Sequence, residues 1–151
     1  MKRSESGYTL LEIVVVIAII GILTTMAVTN YSEQIPHQQL RDASSALVGE
    51  LRLARQKAIF NGKDEIIPIG MHPLPGHVRF SASNVTKNTY NEKNLPDDGI
   101  SFVGNSATFY SIGTGESGTI YLTNSKKESV AITVNITGRV RKYLWDGHDW
   151  K

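Results

Sequence analysis

One acidic side chain, Glu12, stands at the mouth of a long apolar run, Ile13-Val14-Val15-Val16-Ile17-Ala18-Ile19-Ile20-Gly21-Ile22-Leu23, entered through Gly7-Tyr8-Thr9-Leu10-Leu11. From Leu10 to Val28 the only polar side chains are Glu12, Thr24 and Thr25. As a helix rising about 1.5 Å per residue, that stretch reaches roughly 28 Å, one hydrocarbon core. A carboxylate inside such a helix costs on the order of 2–3 kcal/mol even on the lenient insertion scale, less near the interface. A residue so expensive implies a partner, and the chemistry it offers is ion pairing. Lys2 and Arg3 precede it as a positive-inside signal. The order of parts differs from a secretory signal peptide, because a Gly stands before the apolar run and no A-x-A-like site closes it. A plain signal anchor with a tolerated Glu is the simpler alternative.

A second constellation lies near the other end. After the Thr137-Gly138 turn, Arg139, Arg141, Tyr143 and Trp145 share one parity, and Val140, Lys142 and Leu144 the other. A strand here gathers two guanidinium groups and two aromatic rings on one face, with Lys142 adding charge to the segment. Such a face could grip a phosphate backbone and stack on bases. The alternative is an edge strand whose arginines are solvated, whose Trp145 closes the core, and whose charges discourage edge-to-edge aggregation.

Other chemistry is thin. His37, His72, His77 and His148 lack His-x-x-x-His or Cys partners, and Asp146-Gly147-His148-Asp149 carries too few oxygens for a calcium loop, so solvated loops explain them and no metal is expected. Asn30-Tyr31-Ser32, Asn84-Val85-Thr86 and Asn135-Ile136-Thr137 match the glycosylation acceptor pattern. No Ser/His/Asp triad, carboxylate pair or phosphate loop emerges, so neither catalysis nor a cofactor is expected. With 151 residues and one end committed to an apolar helix, a single soluble domain of about 120 residues remains. The net charge of +2 argues against a general nucleic-acid surface. There is no cysteine, so the core holds the domain without disulfides.

The elements that position these residues follow from periodicity. Leu40, Ala43, Leu47, Leu51, Ala54 and Ala58 recur at helical steps, with Arg41, Asp42, Glu50, Arg52, Arg55 and Lys57 between them. This amphipathic helix ends at Asn61-Gly62, and Pro36 kinks it or marks a junction. Arg52 and Arg55 flank the stripe and snorkel or pair with Glu50. From Ile66 the period becomes two. Runs at 77–80, 100–103, 107–110, 119–122 and 130–136 read as antiparallel strands, and 81–99 reads as an exposed polar loop. The expected fold is α+β, a long N-terminal transmembrane and amphipathic helix packed on an antiparallel sheet. Its parts are a transmembrane helix to residue 28, an amphipathic continuation over 29–62 and a sheet domain over 63–151.

Gly7, then Tyr8-Thr9-Leu10-Leu11-Glu12 and the apolar run, resembles the class III signal of type IV pilins and type II secretion pseudopilins. The resemblance implies a leader of residues 1–7, cut by prepilin peptidase between Gly7 and Tyr8, and N-methylation of Tyr8, where the family usually has Phe. Removing that leader takes two basic residues and one acid, leaving +1. The fifth residue of the mature chain is then Glu12, whose carboxylate the amino group of a neighbouring subunit's Tyr8 can neutralise inside a filament core. The implied partners are other major and minor pilins or pseudopilins, an inner-membrane assembly platform and inner-membrane lipid. The implied locations are the bacterial inner membrane, with the C-terminal domain in the periplasm, and then a pseudopilus or pilus. Leu51-Arg52-Leu53-Ala54-Arg55-Gln56-Lys57-Ala58-Ile59, Gly118-Thr119-Ile120 and Thr137-Gly138-Arg139-Val140-Arg141 are similar to the pseudopilin H and FimT/FimU minor subunits. That likeness implies a low-abundance subunit that initiates a filament or sits near its tip, and in FimT-like members a C-terminal Gly-Arg-x-Arg region that binds DNA.

Overall fold

A computed structural model describes residues 9–87, 89 and 95–151, with the side chains of 26–31 excepted. The chain divides into two compact units, residues 1–35 and Pro36–Lys151, and one helix, α1 (Leu10–Asn61), contributes to both.

In the first unit, Thr9 caps the helix: its hydroxyl accepts the Glu12 N–H at 3.2 Å, satisfying one of the donors orphaned at a helix start. From Leu10 to Thr25 every side chain is exposed, so the helix is apolar all round and its own unit covers none of it. Even the threonines hide their donors. Thr24 Oγ1 donates to the Ile20 carbonyl at 2.7 Å, and Thr25 Oγ1 to those of Gly21 and Ile22 at 2.9 and 2.8 Å. Back-bonding of this kind leaves little for water to hold. Among the described residues no helix is long and apolar enough to cross a membrane; the described apolar side chains stop at Thr25, short of Val28.

The second unit opens at Pro36, which lies inside α1 and has no N–H to give the helical ladder. Asn124 reaches this turn from the sheet. Its Nδ2 donates to the Pro36 carbonyl at 3.2 Å and to Glu128 Oε2 at 2.8 Å, and Glu128 in turn pairs with His37 Nδ1 at 2.5 Å. Beyond it the stripe Leu40, Ala43, Leu47, Leu51, Ala54 and Ala58 is buried as the helical period predicts, joined by Val48. Helix α1 stops where Gly62 takes a φ of +62°.

The strands divide between two antiparallel sheets. The first pairs β1 (Glu65–Pro68) with β3 (Ser106–Phe109), and the second runs β2 (Val78–Phe80), β4 (Gly118–Asn124), β5 (Ser129–Val134), β6 (Val140–Leu144). Ile120, Leu122, Val130, Ile132, Val134 and Val140 form one core with the helical stripe. The expected strand at 100–103 is not one. Only Ile100 bridges, to Ile120, and Val103–Asn105 is a 3-10 turn in which Gly104 and Asn105 take φ of +63° and +53°. Positive φ at two successive residues turns the chain away before a ladder can extend.

The outer face of the larger sheet is also covered. Tyr121 and Ala131 are buried there beneath Ala82 and Val85, with Leu95, Tyr143, Trp145 and Trp150 packed against them. The described part of 81–99 is therefore a lid, contrary to the expected exposed loop, because its few apolar residues turn inward while its polar ones face water. Residues 88 and 90–94 of that stretch lie outside the described residues. Thr123 sits on this face, donating to the Ser81 carbonyl at 2.9 Å and lying 2.9 Å from Ser129 Oγ, so a strand that looks amphipathic is buried on both sides.

Candidate functional site

Glu12 occupies the first turn of α1 among Leu11, Ile13, Val15 and Val16, all exposed. No Lys, Arg or His occurs between Arg3 and His37, so no side chain along this part of the helix offers Glu12 a cation. The arrangement presents one carboxylate on an apolar cylinder, a receptor for a single positive group delivered from outside the helix. Gly7 and Tyr8, the expected cleavage and methylation positions, lie outside the described residues.

Of the C-terminal basic and aromatic residues, Arg141, Tyr143 and Trp145 share the outer sheet face and Lys142 lies on the other, as parity predicts, whereas Arg139 is set apart from them. Arg141 and Tyr143 stand opposite Thr133 and Ala131, on the sheet face turned away from the helix, with Arg141 Nη1 3.5 Å from the Tyr143 hydroxyl. Lys142 lies on the helix face, its ammonium donating to Ser45 Oγ at 3.2 Å. Arg139 precedes the strand and lines a groove beside Arg52 and Arg55 of the helix. Trp145 is half-buried, its ring 5.0 Å from that of Trp150, which also lies 5.8 Å from Tyr121. These rings already pack on one another in tilted pairs.

The C-terminal end is tied down. Leu144 and Lys151 exchange both backbone hydrogen bonds, at 2.7 and 2.9 Å, and Trp150 Nε1 donates to the Lys87 carbonyl at 3.0 Å. Asp146 Oδ1 accepts the N–H groups of His148 and Asp149, and Oδ2 pairs with Lys151 Nζ at 2.9 Å. The hydrogen bond from Lys151, followed by those from the two backbone N–H groups, holds the Asp146 carboxyl well below the usual carboxylate range. Its oxygens are spent on this clamp. Among the described residues no three His, Cys, Asp or Glu side chains gather as a metal set.

Sequence reasoning missed two contacts. Arg55 neither snorkels nor pairs with Glu50: its Nε donates to the Gly113 carbonyl at 2.8 Å, across a separation of 58 residues. Glu50 instead pairs with His72 at 2.9 Å, so His72 and His37 are both held by carboxylates where solvated loops were expected. The signal for the arginine contact was present in Gly113 and Gly138. A Cβ at Gly138, where φ is +71°, would lie 2.4 Å from the Gly113 carbonyl oxygen and 2.8 Å from Arg55 Nε. Only glycine lets the hairpin approach the guanidinium so closely.

Comparison with known proteins bears on the N-terminal site. The family described as the prokaryotic N-terminal methylation motif matches residues 2–28. The chain is similar to the type IV major fimbrial protein FimA of Dichelobacter nodosus, 36% identical over 64 residues, covering 42% of this chain and 40% of that protein. It is also similar to a fimbrial protein of Pseudomonas aeruginosa, 37% identical over 62 residues, covering 41% and 40%. Fimbrial protein Q of Moraxella bovis is 40% identical over 64 residues, covering 40% and 38%. The chain spans about two-fifths of the length of these curated relatives. No solved structure matches it at a significant level. The chain thus carries a prokaryotic N-terminal methylation motif on a pilin-like α+β architecture, and the relatives it resembles are fimbrial proteins.

Proposed function

We propose that this chain is a pilin-like subunit of a bacterial filament, a minor pilin or pseudopilin held in the inner membrane by residues 8–28 and then drawn into a type IV pilus or type II secretion pseudopilus. The observation that carries this reading is the lone carboxylate of Glu12 on a helix apolar all round, within the stretch that matches the methylation motif. The proposed partners are prepilin peptidase, other pilins or pseudopilins, the assembly platform and membrane lipid. Each subunit's Tyr8 amino group would meet a neighbour's Glu12, so two charges that are costly apart become tolerable together.

Intact-mass measurement tests the processing step. The expected result is loss of Met1 to Gly7 and gain of one methyl group on Tyr8. Gly7 offers no side chain to clash in a peptidase site, so Gly7→Leu leaves an uncut precursor in the membrane. A mature chain starting after Val28 would instead mark a cleaved secretory signal.

A second reading is a pilus-associated receptor for DNA, supported by the exposure of Arg139 and Arg141. The mutual packing of Trp145 and Trp150 weighs against it, since rings so engaged are poor platforms for bases. If it holds, the protein binds duplex DNA with affinity falling steeply as salt rises, and Arg139→Gln with Arg141→Gln lowers the salt slope by about 1–2. Absence of any shift at low salt removes this reading.

A further inference from the structure

The groove bordered by Arg52, Arg55 and Arg139 has no role in the filament reading, and the DNA reading draws on Arg139 alone of its residues. It encloses about 330 Å³ between the helix and the turn that joins β5 to β6, lined also by Gln56, Ile59, Gly138 and Val140. Three arginines line one groove and no acidic residue does. Among the described residues neither Arg52 nor Arg139 has an ion-pair partner, whereas every histidine–carboxylate and lysine–carboxylate pair of this unit lies elsewhere.

We propose that this groove docks a carboxylate-bearing, partly apolar segment of a protein partner. Like charges are gathered here at a cost in mutual repulsion that an anion would relieve. Arg55 is already oriented by its hydrogen bond to the Gly113 carbonyl, so its terminal nitrogens are presented in a fixed plane, and planar forks match carboxylates in bidentate fashion. Preorganisation of this kind reduces the entropy lost on binding. The walls are aliphatic. Ile59 is half exposed, its Cδ1 3.0 Å from where a Cβ on Gly113 would lie, and Ile112, beside Gly113, is 82% exposed. Aliphatic walls reward an apolar neighbour beside the carboxylate and provide no ring for a nucleic-acid base, which favours a protein over DNA.

The inference stands on the Pro36–Lys151 unit alone and is independent of how the N-terminus is processed. Its test uses the full chain in zwitterionic micelles, with arginine side-chain Nε–Hε signals observed by NMR. A capped hexapeptide of alternating glutamate and leucine is expected to shift the Arg52, Arg55 and Arg139 signals saturably, and the glutamine–leucine analogue to leave them in place. Arg52→Gln with Arg139→Gln lowers affinity at least tenfold, and Arg52→Lys with Arg139→Lys, which keeps charge but loses the fork, lowers it by a smaller factor. Near-ultraviolet circular dichroism of the Trp145–Trp150 pair, unchanged in both variants, establishes that the fold is intact. No saturable shift, or equal shifts with the glutamine–leucine peptide, overturns the proposal. So does a short DNA duplex that displaces the acidic peptide at matched charge concentration, which would make the groove a phosphate site.

Discussion

Glu12→Ala is expected to leave membrane insertion intact or improved while recovery of partner subunits in cross-linked or co-purified complexes falls by about a hundredfold or more. On the proposed membrane-held reading, insertion would improve because an acidic side chain within the span is removed, a gain of at most about 2–3 kcal/mol near the helix centre and less at its mouth. Assembly suffers because the incoming amino group would be buried without its counter-charge, and breaking a buried pair costs roughly 3–5 kcal/mol. Glu12→Gln keeps the shape and a hydrogen-bond acceptor but not the charge, so it separates the two contributions: it should assemble better than alanine and worse than the wild type. Since Thr9 caps the same turn by accepting the Glu12 backbone N–H, neither substitution removes the cap. Equal recovery of partners with both variants would mean that Glu12 is only a tolerated acid on an anchor.

Gly138→Ala carries the second large effect, this time on stability. The new Cβ would sit 2.4 Å from the Gly113 carbonyl oxygen and 2.8 Å from Arg55 Nε, in a residue whose φ is +71°. Strain from the left-handed backbone adds to the displacement of a backbone oxygen that Arg55 itself holds, and together they cost on the order of 3 kcal/mol. Thermal unfolding of the full chain should show a midpoint lower by roughly 10 °C. Gly104→Ala is the matched control. Its φ is +63° and nothing lies within 4 Å of the added methyl group, so it reports the backbone part alone. That part is about 1–2 kcal/mol. If the two variants unfold at the same temperature, the close approach of hairpin and helix is not what requires glycine at 138.

What could be read without coordinates was whatever depended on neighbouring positions in the chain. The Gly7 to Leu23 pattern is contiguous, and the stripe from Leu40 to Ala58 repeats at the period of one face of one helix, so both stood in plain view. The outer face of the sheet did not. Thr119, Thr123, Ser129 and Thr133 are buried, yet their hydroxyls make β4 and β5 read as strands with one wet side. The Ser81 carbonyl that Thr123 donates to comes from a segment 42 residues away, a distance no local period can register. The same limit hid Arg55. An arginine between apolar helix positions suggests a solvated fringe, and only the meeting of Gly113 with Gly138 reveals a backbone acceptor waiting for it. The division of the C-terminal charges has a third cause: parity assigns faces along a strand, but Arg139 stands before β6 begins and is free of its alternation.

The division of the core between one early helix and a late meander fixes the order in which the domain can be completed. A ribosome makes Leu40 to Ala58 first, and their apolar stripe is covered only in part, by residues such as Ile69, Phe102 and Phe109, until β4, β5 and Val140 have been made, some 80 residues and several seconds later at about 5–20 residues per second. Strands β4, β5 and β6 are neighbours in sequence as well as in space, so once present they can pair quickly and without long loop closure. The vulnerable interval is therefore the wait before them. A chain halted short of Val140 would keep a partly covered helix and a two-thirds-built meander, a substrate for proteases and chaperones, whereas one halted just after Leu144 would keep the helix-side core and lose Trp145, Trp150 and the clamp around Lys151.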